Sequence, residues 1–173
     1  LSGTLDLAVG AADMTVYGAG GNDQLTEDNA IAFGDLNDDG IKDLIVAAIV
    51  ADGPGNTRPG CGEVYVIYGG PTYPAVYNLA SALPEVLIYG ATNGDAICHE
   101  GSLVVGDLNA DGIEDLVIGS RGSDGPANAR GECGEAFIIF GRSNLPATID
   151  LNTQQEDVLI FGGGANDELT DAQ

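Results

Sequence analysis

The chain has 173 residues, with 27 Asp and Glu against 5 Lys and Arg and a formal net charge of -22. That balance excludes nucleic acid as the main partner, because neutralising phosphate takes clustered Lys and Arg, and it disfavours an anionic membrane surface. Apolar residues make up 44% and charged ones only 18%, so this is no disordered acidic tail, and the longest apolar run, Leu44 to Ala51, is too short to enter a membrane as a span.

Glycine supplies 27 residues, which suits tight turns between short strands. In chain order, Thr15 to Tyr17 reads as a short strand closed by glycine, and Asn29 to Gly34 as another. An Asp/Asn/Gly loop follows. Leu44 to Ala51 is a continuous apolar run, the pattern of a strand buried on both faces. A Gly- and Pro-rich loop (Asp52 to Gly62) leads into Glu63 to Tyr68, rich in Val, Tyr and Ile, and Leu87 to Tyr89 follows after a longer connection. Leu79 to Leu83 is at most a short turn, and no 3.6-residue periodicity is sustained.

The order then recurs at an offset of 72 residues without insertion or deletion. GDLNDDGIKDLIVA from Gly34 returns as GDLNADGIEDLVIG from Gly106, and GCGEVYVIYG from Gly60 as ECGEAFIIFG from Glu132. TVYGAGGNDQLTED from Thr15 maps onto segments starting at Leu87 and Leu159, and Asp6-Leu7, Asn78-Leu79 and Asp150-Leu151 share one phase. The chain holds two whole repeats and 29 residues of a third. Four strands per repeat predict an all-β fold of β-propeller blades, each a four-stranded antiparallel sheet; a stacked β-solenoid is the alternative. The units read as 1–25, outer strand and connection of an incomplete preceding blade; 26–97, with acidic loop 35–43; 98–168, with acidic loop 107–115; and 169–173, the start of a third.

The acidic loops carry the chemistry expected of the chain. Asp35, Asn37, Asp39, Ile41 and Asp43, and their copies Asp107, Asn109, Asp111, Ile113 and Asp115, stand at positions 1, 3, 5, 7 and 9 around a glycine at 6. Oxygens at 1, 3, 5 and 9 plus the position-7 carbonyl would wrap a Ca²⁺ ion, which takes six to eight oxygens. The pattern predicts two structural Ca²⁺ sites; a solvated Asx-rich turn is the alternative. An EF-hand is excluded because its twelfth position, a bidentate glutamate, is here Val46 or Ile118 within an apolar β run. The stretches around Asp23, Asp95 and Asp167 approach a calcium β-roll nonapeptide, but they lack its tandem spacing and read as inter-blade loops.

On these motifs the chain resembles the FG-GAP repeats of integrin α-subunit propellers and their bacterial relatives. The resemblance covers D-x-N-x-D-G-x-x-D, the apolar strand after it and the G-E-V-Y-V-I-Y-G strand. It implies a seven-bladed propeller with Ca²⁺ bound between first and second strands by the ten residues just named. The Phe-Gly of the family falls instead near Glu27-Asp28 and His99-Glu100, and no Arg-Gly-Asp triplet occurs, so integrin ligand specificity does not carry over.

About two and a half blades cannot close a ring, so the chain reads as part of a larger structure or as a subunit that assembles with its own copies. Leu1 opens no signal-like pair of charged and apolar regions, so targeting information is absent or has been removed. Cys61 and Cys133 share a phase, and Cys98 lies in a connection that should emerge on their face; a disulfide from Cys98 to Cys61 or Cys133 is expected, three thiols being the alternative. The calcium loops and the disulfide together imply a secreted, cell-surface setting.

An enzyme is not expected. The single histidine, His99, stands beside Glu100 in a loop, and no serine sits in a nucleophile elbow. The leading expectation is a calcium-stabilised extracellular propeller segment for adhesion or for protein or glycan recognition. Its contact surface would be Asp52 to Gly60 and Ser123 to Gly131, loops that differ between the copies. The alternatives are a subunit of a calcium-dependent filament or surface assembly and an accessory domain of a secreted hydrolase.

Overall fold

Residues 13–170 are described by a computed structural model. Asp6-Leu7, most of the expected outer unit before Asp13 and the last three residues therefore lie outside the described residues. Eleven strands occur among the described residues: β1 (Thr15–Tyr17), β2 (Ile31–Gly34), β3 (Asp43–Ala48), β4 (Glu63–Ile67), β5 (Val76–Asn78), β6 (Val86–Tyr89), β7 (Leu103–Gly106), β8 (Asp115–Ser120), β9 (Glu135–Ile139), β10 (Thr148–Asp150) and β11 (Val158–Phe161). The fold is all-β. Short 3₁₀ turns are the only helical elements described.

The strands form three sheets. Sheet one is the pair β1-β5, sheet two runs β10-β6-β4-β3-β2, and sheet three runs β11-β9-β8-β7. Sheet three is antiparallel throughout, the four-stranded arrangement expected of one repeat. Sheet two has the same antiparallel core but gains β10, which joins β6 in parallel with Thr148 opposite Leu87 and Asp150 opposite Tyr89. The β1-β5 pair repeats that register one period earlier, with Thr15 opposite Val76 and Tyr17 opposite Asn78. Each repeat therefore contributes five strands rather than four, and the fifth is donated to the outer edge of the preceding sheet. This parallel link makes sheet two mixed, and among the described residues the three sheets do not close into a ring.

The apolar runs explain the packing. β3 and β4 are central, so both faces are covered and the sequence there does not alternate. One core cluster joins Ile45, Val64, Val66 and Ile88 of sheet two to Leu116, Ile118, Phe137 and Ile139 of sheet three. On the opposite face of sheet two, Val46, Tyr65, Ile67 and Leu87 pack with Val16 and Tyr77 of sheet one. The glycines that close the outer strands are sterically required. A Cβ at Gly90 or Gly162 would overlap the Cys61 or Cys133 carbonyl, where Gly90 N–H donates to Gly62 O and Gly162 N–H to Gly134 O.

Candidate functional site

The two acidic loops lie where expected, as the β2–β3 and β7–β8 turns. Their oxygens, however, face the loop's own backbone. Gly40 N–H donates to Asp35 Oδ2 at 2.8 Å, Asp39 N–H to Asn37 Oδ1 at 3.0 Å and Ile41 N–H to Asp39 Oδ1 at 2.8 Å. The copy repeats this closely: Gly112 N–H to Asp107, Asp111 N–H to Asn109 and Ile113 N–H to Asp111, at 3.0, 2.9 and 2.8 Å. Asp43 and Asp115, both fully buried, each tie the turn to the next strand's end. Asp43 accepts from Leu36 and Gly69 N–H at 2.9 Å each, and Asp115 from Leu108 at 2.8 Å and Gly141 at 3.0 Å.

The expected calcium is overturned here. Among the described residues no group of three or more His, Cys, Asp or Glu side chains could hold a metal ion. Asp35, Asn37, Asp39, Ile41 and Asp43, and Asp107, Asn109, Asp111, Ile113 and Asp115, form two Asx-type turns closed by amide donors, the reading that the same spacing also permits. Burial pushes the Asp43 carboxyl up from its ordinary range, with Gly69 and Leu36 N–H opposing and Asp39 and Asp35 adding to the rise. The turns are also coupled to each other. Glu114 accepts from Asp35 N–H at 2.6 Å and pairs with Lys42 at 2.5 Å, and the Lys42 hydrogen bond holds its carboxyl below the usual range.

The cysteines are also three separate buried thiols, so Cys98 is bonded to neither Cys61 nor Cys133. Instead the Cys61 and Cys133 sulfurs sit 3.3 and 3.4 Å from the carbonyls of Gly62 and Gly134. Burial pushes the Cys61 thiol up to about 11 against the pull of Arg58, and it also raises Cys98, so both are poor nucleophiles. His99 bridges two stacked turns, with Nε2 3.5 Å from Asp28 Oδ2 and Nδ1 3.7 Å from Glu100 Oε1.

The loop face offers a different kind of site. After β3 and β8 the chain makes matching loops with 3₁₀ turns at Pro54–Asn56 and Pro126–Asn128. Asp52 and Asp124 brace them: Gly60 N–H donates to Asp52 Oδ1 at 3.0 Å and Glu132 N–H to Asp124 Oδ1 at 2.9 Å. Arg58 anchors the first loop to the donated strand β10 through a two-pronged contact with Asp150 at 2.8 and 3.0 Å, and it also donates to Gly90 O. That pairing holds the Asp150 carboxyl below its ordinary range.

Beneath each loop lies a cavity at one repeat phase. The first, about 250 Å³, is lined by Asp23, Asp52, Asn56 and Glu63. The second, about 590 Å³, is lined by Asp95, Asp124, Asn128 and Glu135 at the corresponding positions, with Phe137, Leu159 and Phe161 added. Burial is the largest cause raising the Glu63 and Glu135 carboxyls, Glu135 to about 7, with Asp95 the next contributor there. Tyr65 OH donates to Glu63 at 2.5 Å, whereas its copy is Phe137, which has no hydroxyl. Neither Glu63 nor Glu135 stands out as a candidate in the sequence, although each is a lone carboxylate heading an otherwise apolar strand.

No helix among the described residues is long and apolar enough to cross a membrane. Residues 101–132, which span the second acidic turn, β8 and most of the second loop, match the FG-GAP repeat family. The chain is 29% identical over 140 residues to a phosphatidylinositol-glycan-specific phospholipase D of Dictyostelium discoideum, an alignment covering 77% of this chain. The aligned part spans 14% of that relative's length.

Proposed function

We propose that this chain is a non-catalytic recognition segment of FG-GAP type, serving adhesion or protein or glycan binding, with the loop face at Pro54–Asn56 and Pro126–Asn128 as its contact surface. The observation that carries this reading is the pair of rigidly braced loops over cavities at one repeat phase, framed identically and lined differently. A shared frame with divergent lining is what a binding surface on a rigid scaffold requires. The family match supports a repeat or adhesion-type unit, and the name of the Dictyostelium relative, which includes a glycan, supports an accessory role beside an enzyme. The setting that accompanies such ligands is extracellular. Its grounds are ligand chemistry, since neither metal nor disulfide supports it.

A propeller is the larger architecture this reading carries. Each sheet covers the face of the one before it: Val86 and Ile88 are each 1% exposed in sheet two, whereas their copies Val158 and Ile160 on sheet three are 36% and 45% exposed. That face suits a further sheet of the same repeat type. It also gives the assembly reading its one specific support; if copies of the chain cover it, sedimentation at rising concentration shows heavier species that Ile160→Lys abolishes.

The recognition reading is tested by screening the chain against immobilised glycan and protein panels, alongside a version with residues 125–129 replaced by Gly and Ser. Ligands should be lost with the loop change and kept by Asp39→Ser. Binding that follows the acidic turn instead, or no ligand at all, overturns it.

A further inference from the structure

The two cavities differ in a directed way. Four lining positions of the second carry Thr92, Ser123, Asn152 and Gln154, whereas the residues one period earlier are Gly20, Ala51, Ala80 and Ala82. Every change adds hydrogen-bonding capacity. Thr92 and Ser123 serve the cavity wall: Thr92 donates to buried Asp95 through N–H at 2.8 Å and Oγ1 at 2.6 Å, and Ser123 Oγ lies 2.7 Å from Ser120 Oγ. Asn152 and Gln154 stand exposed at the rim beside Asn128. The opposite change occurs inside, where Phe137 replaces the tyrosine that donates to the glutamate in the first repeat. Glu135, only 7% exposed, thus lines a cavity that has gained amides and lost an internal donor.

These walls specify a ligand. Carboxylates at Glu135 and Asp124 accept from hydroxyl or ammonium groups and disfavour anions, while Asp95, buried behind them, is already held by Thr92; rim amides can both donate and accept. Phe137, Phe161 and Leu159 provide an apolar floor for the C–H face of a ring. Arg58 borders the adjoining space, but its guanidinium is committed to Asp150 and Gly90. A volume of about 590 Å³ lies within the usual range of small-molecule sites. We propose that the cleft between the Pro126–Asn128 turn and β9 binds a sugar residue that carries no negative charge, uncharged or basic. This rests on the recognition reading above and names the ligand class of its second loop.

The test titrates the whole chain calorimetrically with cellotriose, a glucosamine trimer and a galacturonic acid trimer. Saturable binding of cellotriose or the glucosamine trimer is expected, with at least tenfold weaker binding of the galacturonic acid trimer. Two variants restore first-repeat residues and so keep the fold within what this chain already uses: Phe137→Tyr, which supplies Glu135 with a donor, and Asn152→Ala with Gln154→Ala. Each should weaken the bound trimer at least fivefold, while Asn56→Ala in the first cavity changes nothing. Absence of binding by all three trimers, equal binding of the acidic one, or indifference to both variants overturns the assignment. So does a lysine-rich peptide that saturates the cleft when the sugars do not. A chain that binds none of these sugars but retains loop-dependent protein ligands loses this inference alone; one that fails in both experiments loses the recognition reading as well.

Discussion

Replacing Glu135 by glutamine should stabilise the protein at alkaline pH and leave it unchanged in acid. The glutamate is 7% exposed, and burial together with the Asp95 charge pushes its carboxyl up to about 7. An acid whose pKa is higher folded than unfolded favours the folded state in its protonated form. That stability is fully present below the unfolded value of about 4.3 and is lost as pH rises through about 7. At about 1.4 kcal/mol for each pH unit the gap amounts to about 3–4 kcal/mol, and water in the cleft reduces this to about 2 kcal/mol. Glutamine retains an acceptor for the Gly125 N–H that the glutamate uses and removes the ionisation. Urea unfolding of both proteins between pH 4 and pH 8.5 provides the assay. Their difference isolates one group from the charge of -22 that both share. It should rise from near zero at pH 4 to about 2 kcal/mol in favour of glutamine above pH 8, worth roughly 4–8 °C in Tm. A difference that is flat across this range, or that favours glutamate at high pH, refutes the assignment of burial as the dominant cause.

Asp43→Ala and Asp115→Ala should each cost about 2–4 kcal/mol in chemical denaturation, because each leaves backbone N–H groups at the end of a turn without their carboxylate acceptor. Arg58→Ala should cost about 1–3 kcal/mol at neutral pH through loss of the pair that holds β10 to the first loop. Because Asp150 is held below its ordinary pKa, that penalty should begin to fade as pH falls below the unfolded value of about 4 and be lost as pH falls through the lower folded value. The buried thiols should react with a disulfide-exchange dye only at the rate of unfolding, giving three equivalents in denaturant and almost none in native buffer.

The sequence makes the central strands legible because β2, β3, β4 and β6 are apolar runs bounded by Gly and Asp, and the 72-residue register fixes each copy. It hides β5 and β10. Each has three residues, and its hydrogen-bonding partner belongs to a different repeat, so neither period nor length marks it. The shared phase of Asn78-Leu79 and Asp150-Leu151 is its one trace. The acidic turns show a different limit. Oxygen side chains at alternate positions around a glycine suit backbone amides as well as they suit a cation, and only the direction of the carboxylates separates the two. The cleft is assembled from segments around Asp95, Asp124 and Asn152 that are far apart in the chain. Its signal was nevertheless present, in the Gly and Ala positions of one repeat that become Thr, Ser, Asn and Gln in the other.

Amide hydrogen exchange in the presence of a chelator tests most directly whether these acidic hairpins close upon themselves. The Leu36, Gly69, Leu108 and Gly141 amides, which donate to Asp43 and Asp115, should remain protected to the same degree as the amides of β3 and β8. Exchange of those four at open-loop rates, reversed by adding a divalent cation, would contradict the account.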